Sequence, residues 1–214
     1  MSPDFAQARR TMVAEQLRGR DISDERVLAA MERVPREAFL PADARDHAYD
    51  DAALPIAAGQ TMSQPYIVAL IAQTLELHGS ERALDVGTGS GYQAAVLREL
   101  AAEVVSVERI PELAAQAGAN LAAAGYVDVE VIVADATLGV PGQEPFDAIA
   151  VAAATAGLPE ALYDLLVMRG RIVIPLGDRT GQLLSLIVRS PEGPAVVRTT
   201  PVRFVPLIGE GPLL

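Results

Sequence analysis

The chain has 214 residues, half of them apolar, which is enough for one domain with a sizeable hydrophobic core. It contains neither cysteine nor lysine, so disulfide bonds, thiolate chemistry and a lysine Schiff base are all excluded. The formal net charge of −11 opposes a long nucleic-acid interface, and two isolated histidines make a poor metal site. We therefore expect no nucleic-acid partner and no metal ion.

The first 40 residues predict two helices, because apolar side chains recur there at helical spacing. The second helix should begin at the N-cap residue Ser23 and end at Pro35. Residues 41–62 are rich in turn-forming and acidic residues, so we expect a surface segment near the site. A third helix is expected from about Ser63 to Leu77.

After residue 82 strands and helices alternate regularly. This pattern predicts an α/β fold whose mostly parallel sheet is covered on both faces. The late strands have short connections, which predicts an antiparallel edge. We expect one domain over residues 1–214, in which a helical extension (1–80) precedes the α/β core and the C-terminal strands (81–214). Strands are predicted at Ala83–Val86, Val104–Glu108, Val129–Ala134, Ala148–Val151, Arg171–Ile174, Leu183–Val188 and Val196–Val205, and helices at Tyr92–Leu100, Pro111–Ala124 and Pro159–Leu166.

Three alternate glycines follow the first strand of this region, at Gly87, Gly89 and Gly91. Glycine permits positive φ angles and lets a ligand lie against the backbone. The spacing is one residue short of the dinucleotide-binding pattern, and a chain without lysine cannot form a phosphate-binding Gly-Lys-Ser/Thr loop. The run instead resembles the glycine-rich loop of class I S-adenosylmethionine-dependent methyltransferases, which have a Rossmann-like fold. An ordinary strand-to-helix turn is the alternative.

Three acidic residues stand at the carboxyl ends of predicted strands, where ligands bind in open α/β sheets. Asp85 is expected at the rim beside the glycines. Glu108 can accept hydrogen bonds from both hydroxyls of a ribose, and Asp135 can accept one from the amino group of adenine. Any one of them alone could instead be a helix N-cap or a solvated loop residue.

A closer resemblance extends over nearly the whole chain. It is carried by Arg33–Pro41, Ala48–Asp51, Leu54–Ile56, Gly59–Tyr66, Gly91–Leu97 and Phe204–Leu207. These segments resemble protein-L-isoaspartate (D-aspartate) O-methyltransferases. The glycine turn is shared by many methyltransferases, whereas the Gly-Gln-Thr-x-Ser-x-Pro pattern in front of it is far more specific to this family.

The resemblance implies methylation of the free α-carboxylate of isoaspartyl residues in damaged proteins by S-adenosyl-L-methionine. The ester then cyclises to a succinimide, which reopens partly to normal aspartate. By the same matching, Ser63 is the active-site residue, although it could simply cap the following helix. The family tail folds over the site, which points to Phe204 through Ile208. The implied cofactor-binding residues are Gln60, Thr61, Met62, Ser63, Asp85, Gly87, Thr88, Gly89, Gly91, Glu108, Asp135 and Ala136.

The sequence departs from the family pattern after the fourth strand of the core. Family members commonly have a Thr-Ala-Ala-Ala-Pro-like stretch, whereas Val151–Gly157 lacks the proline and has Ala152 at the threonine position. Met62 stands where isoleucine is frequent. A same-fold methyltransferase for a nucleic acid or for normal aspartate of a dedicated peptide remains an alternative, as does a non-catalytic cofactor-binding subunit. The chain shows no signal peptide or long apolar run, so we expect a cytoplasmic monomer away from membranes.

Overall fold

The computed structural model describes residues 4–178 and 180–214. Its helices are α1 Phe5–Thr11, which continues as a π-helical segment Met12–Arg18, α2 Glu25–Arg33, α3 Pro65–Leu75, α4 Tyr92–Arg98, α5 Pro111–Ala123 and α6 Glu160–Asp164. Its strands are β1 Leu54–Pro55, β2 Thr61–Met62, β3 Arg82–Val86, β4 Glu103–Glu108, β5 Glu130–Val133, β6 Phe146–Val151, β7 Leu166–Asp178, β8 Gly181–Ser190 and β9 Gly193–Val202. In this part of the chain, no helix is long and apolar enough to cross a membrane.

The main sheet has the strand order β5-β4-β3-β6-β7-β8-β9. The first five strands of that order are parallel, whereas β8 and β9 pair antiparallel at one edge. The α/β fold, the mostly parallel sheet and the antiparallel edge are therefore confirmed. Because β3, β4 and β5 run in the same direction and are neighbours, their carboxyl ends lie side by side at one edge of the sheet.

Two apolar clusters cover the two faces of the sheet. One contains Ala83 and Val104 together with α2, α3, α4 and the N-terminal helices. The other contains Leu84, Val86 and Val105 together with α6. Successive side chains of a strand point to opposite faces. Asp85 therefore shares the face of Ala83, under α4, and not the face of its neighbours in the sequence.

The N-terminal extension is attached to the first turn of α4 through a buried arginine. Arg36 has no exposed surface, and its guanidinium carbon lies 4.8 Å from the centre of the Tyr92 ring. Its Nε atom donates a hydrogen bond of 2.7 Å to the carbonyl of Ala48. Helix α3 packs against β6 and β7. The division of the chain at residue 80 remains a prediction.

Several local predictions need correction. The N-cap of α2 is Asp24 and not Ser23, because the Asp24 carboxylate accepts from the backbone amides of Arg26 and Val27. The helix predicted over 159–166 ends at Asp164, since Leu166 already pairs with Phe146 in the sheet.

Two further differences lie next to the site. Segment 41–62 contains an antiparallel hairpin of β1 and β2, which was not predicted. Strand β9 ends at Val202 and not at Val205, and the following residues leave the sheet edge. Both corrections bring backbone from outside the parallel sheet towards the carboxyl ends of its strands.

Candidate cofactor and substrate site

A cleft lies at the carboxyl ends of β3, β4 and β5 and contains about 980 Å³ of space between its walls and its open mouth. Its walls also include the β1–β2 hairpin, the residues after β6 and the C-terminal tail. Asp85 and Gly91 are not part of the wall. The other ten residues predicted from the sequence all line it, namely Gln60, Thr61, Met62, Ser63, Gly87, Thr88, Gly89, Glu108, Asp135 and Ala136.

The glycine turn follows β3 with three positive φ angles, +89° at Gly87, +54° at Gly89 and +93° at Gly91. Side chains other than glycine rarely adopt such angles. The amides of Gly87 and Thr88 donate to the carbonyl of Val107, at 2.9 and 3.3 Å. These bonds hold the turn against the carboxyl end of β4 and leave its backbone exposed to the cleft.

Gly91 has a packing function instead of a place in the wall. A Cβ atom at this position would lie 3.1 Å from Cγ of Leu121 and 3.3 Å from the carbonyl oxygen of Ala117. Both residues belong to α5. The missing side chain therefore allows the start of α4 to approach α5 closely.

The position of Asp85 at the rim was predicted wrongly, because its side chain is fully buried beneath the turn. Its carboxylate accepts hydrogen bonds from Nε2 of Gln93 at 2.8 Å and from Oγ of Ser106 at 2.7 Å. The Ser106 hydroxyl in turn lies 2.6 Å from that of Thr88. Burial raises the pKa of the Asp85 carboxyl to about 6, against the two hydrogen bonds and with a small contribution from the charge of Glu108. A part for Asp85 in cofactor binding remains a prediction.

Glu108 is at the end of β4, and its carboxylate is almost completely buried in the cleft wall. One of its oxygens accepts from the amide of Gly89 and the other from the amide of Ile110, both at 3.0 Å. A carboxylate has about four acceptor positions, so each oxygen can accept another bond. This held pair of oxygens suits the two vicinal hydroxyls of a ribose.

Asp135 has two structural functions at the next position along the sheet edge. Its Oδ1 accepts from the amide and the hydroxyl of Thr137, at 3.0 and 2.7 Å, and so caps a short 3₁₀ turn. Its Oδ2 accepts from the amide of Glu210 at 3.1 Å. The N-cap alternative therefore applies to Asp135, which also anchors the tail. Its contact with adenine remains a prediction.

Ser63 follows the hairpin, in which β1 and β2 pair Leu54 with Met62. It lies half-buried in the cleft wall. The helix after it begins at Pro65 with Gln64 as N-cap, and no side chain caps it. The alternative that Ser63 is a helix cap is therefore wrong, and its hydroxyl is not needed for α3.

The tail folds over the site as the resemblance implies, with Val205–Ile208 in the wall. The amide of Ala154 donates to the carbonyl of Val205 at 2.8 Å, and the amide of Leu207 donates to the carbonyl of Ala154 at 2.6 Å. The stretch that departs from the family pattern thus supports the tail directly. Its residues Ala152 and Ala153 line the cleft.

Sequence reasoning missed several wall residues, among them Val68 of α3, Gln93 of α4 and the pair Arg109 and Ile110 after Glu108. Gln93 had a detectable signal, because it is the one amide in the otherwise apolar run Tyr92–Leu97. The others carried none, since they come from ordinary apolar positions or from a loop.

Comparison with known proteins supports the reading of this site. The family profile described as protein-L-isoaspartate(D-aspartate) O-methyltransferase matches residues 7–211. Protein-L-isoaspartate O-methyltransferase 2 of Marinobacter nauticus is 55% identical, over 97% of this chain and 95% of its own length. The protein-L-isoaspartate O-methyltransferase of Methanoculleus marisnigri is 50% identical, over 94% of this chain and 92% of its own.

Among solved structures, one similar protein comes from Plasmodium falciparum and is described as a protein-L-isoaspartate O-methyltransferase in complex with S-adenosyl-L-homocysteine. The two structures agree with a TM-score of 0.80 at 27% sequence identity. The similarity covers 94% of this chain and 99% of the other.

The substitution Asp85→Asn should change how stability depends on pH. The carboxyl titrates near pH 6 when folded and near 3.8 when unfolded, so between these values the folded state keeps a proton that the unfolded state loses. The free energy of unfolding should therefore fall by about 1 kcal/mol between pH 5 and pH 7 in the unaltered chain relative to the variant. Urea unfolding at both pH values measures this difference. Identical pH profiles for the two proteins would contradict a raised Asp85 pKa.

The substitution Gly91→Ala should lower the free energy of unfolding by about 1–3 kcal/mol, because alanine is strained at this positive φ and its Cβ would crowd α5. Gly118→Ala is the matched control, since a Cβ there meets nothing within 4 Å. In the interior of α5 it should raise the free energy of unfolding by about 0.5–1 kcal/mol. Equal effects at the two glycines in urea unfolding would contradict the packing function of Gly91.

Proposed function

The chain belongs to the protein-L-isoaspartate (D-aspartate) O-methyltransferase family, and from this we infer that it transfers a methyl group from S-adenosyl-L-methionine to the free α-carboxylate of L-isoaspartyl residues in proteins and peptides. The observation that carries this conclusion is a single cleft in which the glycine turn and Glu108 face the family-specific segment Gln60–Ser63. The ester product closes spontaneously to a succinimide, which reopens partly to normal aspartate. The enzyme thereby begins the repair of a damaged residue.

The residues of the cleft fit the cofactor. Gly87 and Gly89 leave space for it against the backbone, and Glu108 offers two oriented oxygens for the ribose hydroxyls. Asp135 and Ala136, at the end of β5, are proposed to hold the adenine. Asp85 is proposed to contribute from beneath the turn through Gln93 and Ser106.

The chemistry asks little of the protein. When bound, the cofactor supplies a methyl group already activated by its sulfonium. The substrate carboxylate is ionised at neutral pH, so the chain needs no general base. Its task is to hold one carboxylate oxygen in line with the methyl–sulfur bond, and such positioning is itself a large catalytic contribution.

Ser63 is the residue we propose to hold the substrate. Its hydroxyl can donate to one oxygen of the substrate carboxylate and leave the other free to react. Because α3 does not need this hydroxyl as a cap, it is available for that contact. The walls opposite, from Val205–Ile208 and Ala152–Ala153, are proposed to limit the access of water.

We also propose that the enzyme acts as a single-domain monomer in the cytoplasm. All the elements of the cleft come from one chain, from the hairpin to the tail. Both the N-terminal extension and the sheet contribute to one apolar cluster, which supports one domain with the predicted parts 1–80 and 81–214.

The direct experiment is methyl transfer from labelled S-adenosyl-L-methionine to two matched peptides, one with L-isoaspartate and one with normal aspartate. We expect transfer to the isoaspartyl peptide alone. Transfer to the normal peptide would support an enzyme for a dedicated substrate of the same fold. Cofactor binding without transfer to either peptide would contradict the proposed repair function.

The substitution Ser63→Ala should lower kcat by about 10- to 100-fold, as expected for one lost hydrogen bond to a charged group. The affinity for S-adenosyl-L-homocysteine should change less than about twofold, because the contact is to the substrate. Ser23→Ala is the matched control, since this exposed serine lies outside the cleft and does not cap α2. Loss of kcat and cofactor affinity in equal measure would contradict a substrate-holding function for Ser63.

A further inference from the structure

Gln93 carries a buried polar atom that the cleft itself does not satisfy. The residue is 7% exposed and belongs to the first turn of α4, in the wall of the cleft. Within the described part of the chain, its Oε1 atom is buried and has no hydrogen-bond partner. A buried acceptor without a donor costs about 1–3 kcal/mol, so such an atom in a ligand cleft points to a donor on the ligand.

The orientation of the Gln93 amide is fixed by its neighbour. Nε2 donates to Oδ1 of Asp85 at 2.8 Å, which places the amide nitrogen towards the carboxylate and leaves the oxygen as the free end. The reversed amide would set its oxygen against a carboxylate oxygen, and two acceptors cannot form a hydrogen bond. Oε1 is therefore an oriented acceptor.

The order of the strands indicates which part of the cofactor lies near this acceptor. The inference rests on the proposed function, in which Asp135 at the end of β5 faces the adenine and Glu108 at the end of β4 faces the ribose. Strands β5, β4 and β3 are consecutive neighbours in the sheet, about 5 Å apart. The next step along this edge reaches β3, its glycine turn and Gln93, where the amino-acid end of the cofactor must lie.

The charge at this position favours a cation. Asp85 is completely buried, and its two hydrogen-bond donors, Gln93 and Ser106, are both neutral. A buried carboxylate is stabilised by a nearby positive charge. The α-ammonium group is a donor at the amino-acid end of the cofactor, and it also carries the required charge.

We propose that Gln93, held in orientation by Asp85, accepts a hydrogen bond through Oε1 from the α-ammonium group of the cofactor. Gln93 is then a cofactor-binding residue that selects ligands with an amino group. Asp85 acts through it as a positioning residue. This arrangement explains why a lone amide interrupts the apolar helix α4.

The experiment compares two ligands by calorimetry, S-adenosyl-L-homocysteine and its analogue that lacks the α-amino group. In Gln93→Leu, the affinity for S-adenosyl-L-homocysteine should fall about 10- to 100-fold, as for a bond to a charged donor. The affinity for the analogue should change less than about threefold, because the two ligands share every other group. Gln93→Met serves as a second variant of similar side-chain length, should the first not fold.

Gln116→Leu is the matched control. Gln116 is an exposed glutamine of α5 outside the cleft, and its substitution should leave both affinities unchanged. Equal weakening of the two ligands in the Gln93 variants would show that Gln93 only supports Asp85, and would overturn the proposal. Unchanged affinity for both ligands would overturn it as well. Failure of the unaltered chain to bind S-adenosyl-L-homocysteine would instead contradict the proposed function on which the inference rests.

Discussion

The buried carboxylate of Asp85 is the constraint on which the geometry of the site depends. Burying such a group without hydrogen bonds costs several kcal/mol, so its donors must stay in place. Those donors are Gln93 in α4 and Ser106, its register partner in β4. Since the Ser106 hydroxyl also meets that of Thr88, one carboxylate joins two strands, a helix and the glycine turn. The turn therefore has one conformation before any ligand arrives.

The neighbouring acidic residue extends the same arrangement along the sheet edge. Glu108 accepts from Gly89 in the turn and from Ile110 at the start of α5, so it fixes the two strand-to-helix connections relative to each other. The walls that face the substrate are held differently, by backbone pairing between Ala154 and the tail and between β1 and β2. These pairings are short. The cofactor side is thus held by buried polar groups, and the substrate side by peripheral segments.

The order of the core strands and most wall residues could be predicted from the sequence, because both follow from local patterns. Alternation of apolar strands and helices fixes a parallel sheet, and the glycine spacing marks its first turn. The hairpin was missed because two-residue strands such as Leu54–Pro55 show no periodicity. The cap of α2 was ambiguous, since Ser23 and Asp24 both suit an N-cap. The burial of Asp85 depends on which partners surround it, and a strand pattern does not specify them.

The tail demonstrates most clearly what a local pattern cannot contain. A Cβ atom at Gly209 would lie 2.2 Å from Oγ1 of Thr137, and one at Gly211 would lie 1.7 Å from its carbonyl oxygen, so only glycine permits this approach. The approach places the amide of Glu210 on Asp135, 75 residues earlier in the chain. The carboxylate expected to face the adenine is therefore also the anchor of the tail that covers the substrate side. Cofactor binding and the shape of the peptide wall consequently share one side chain.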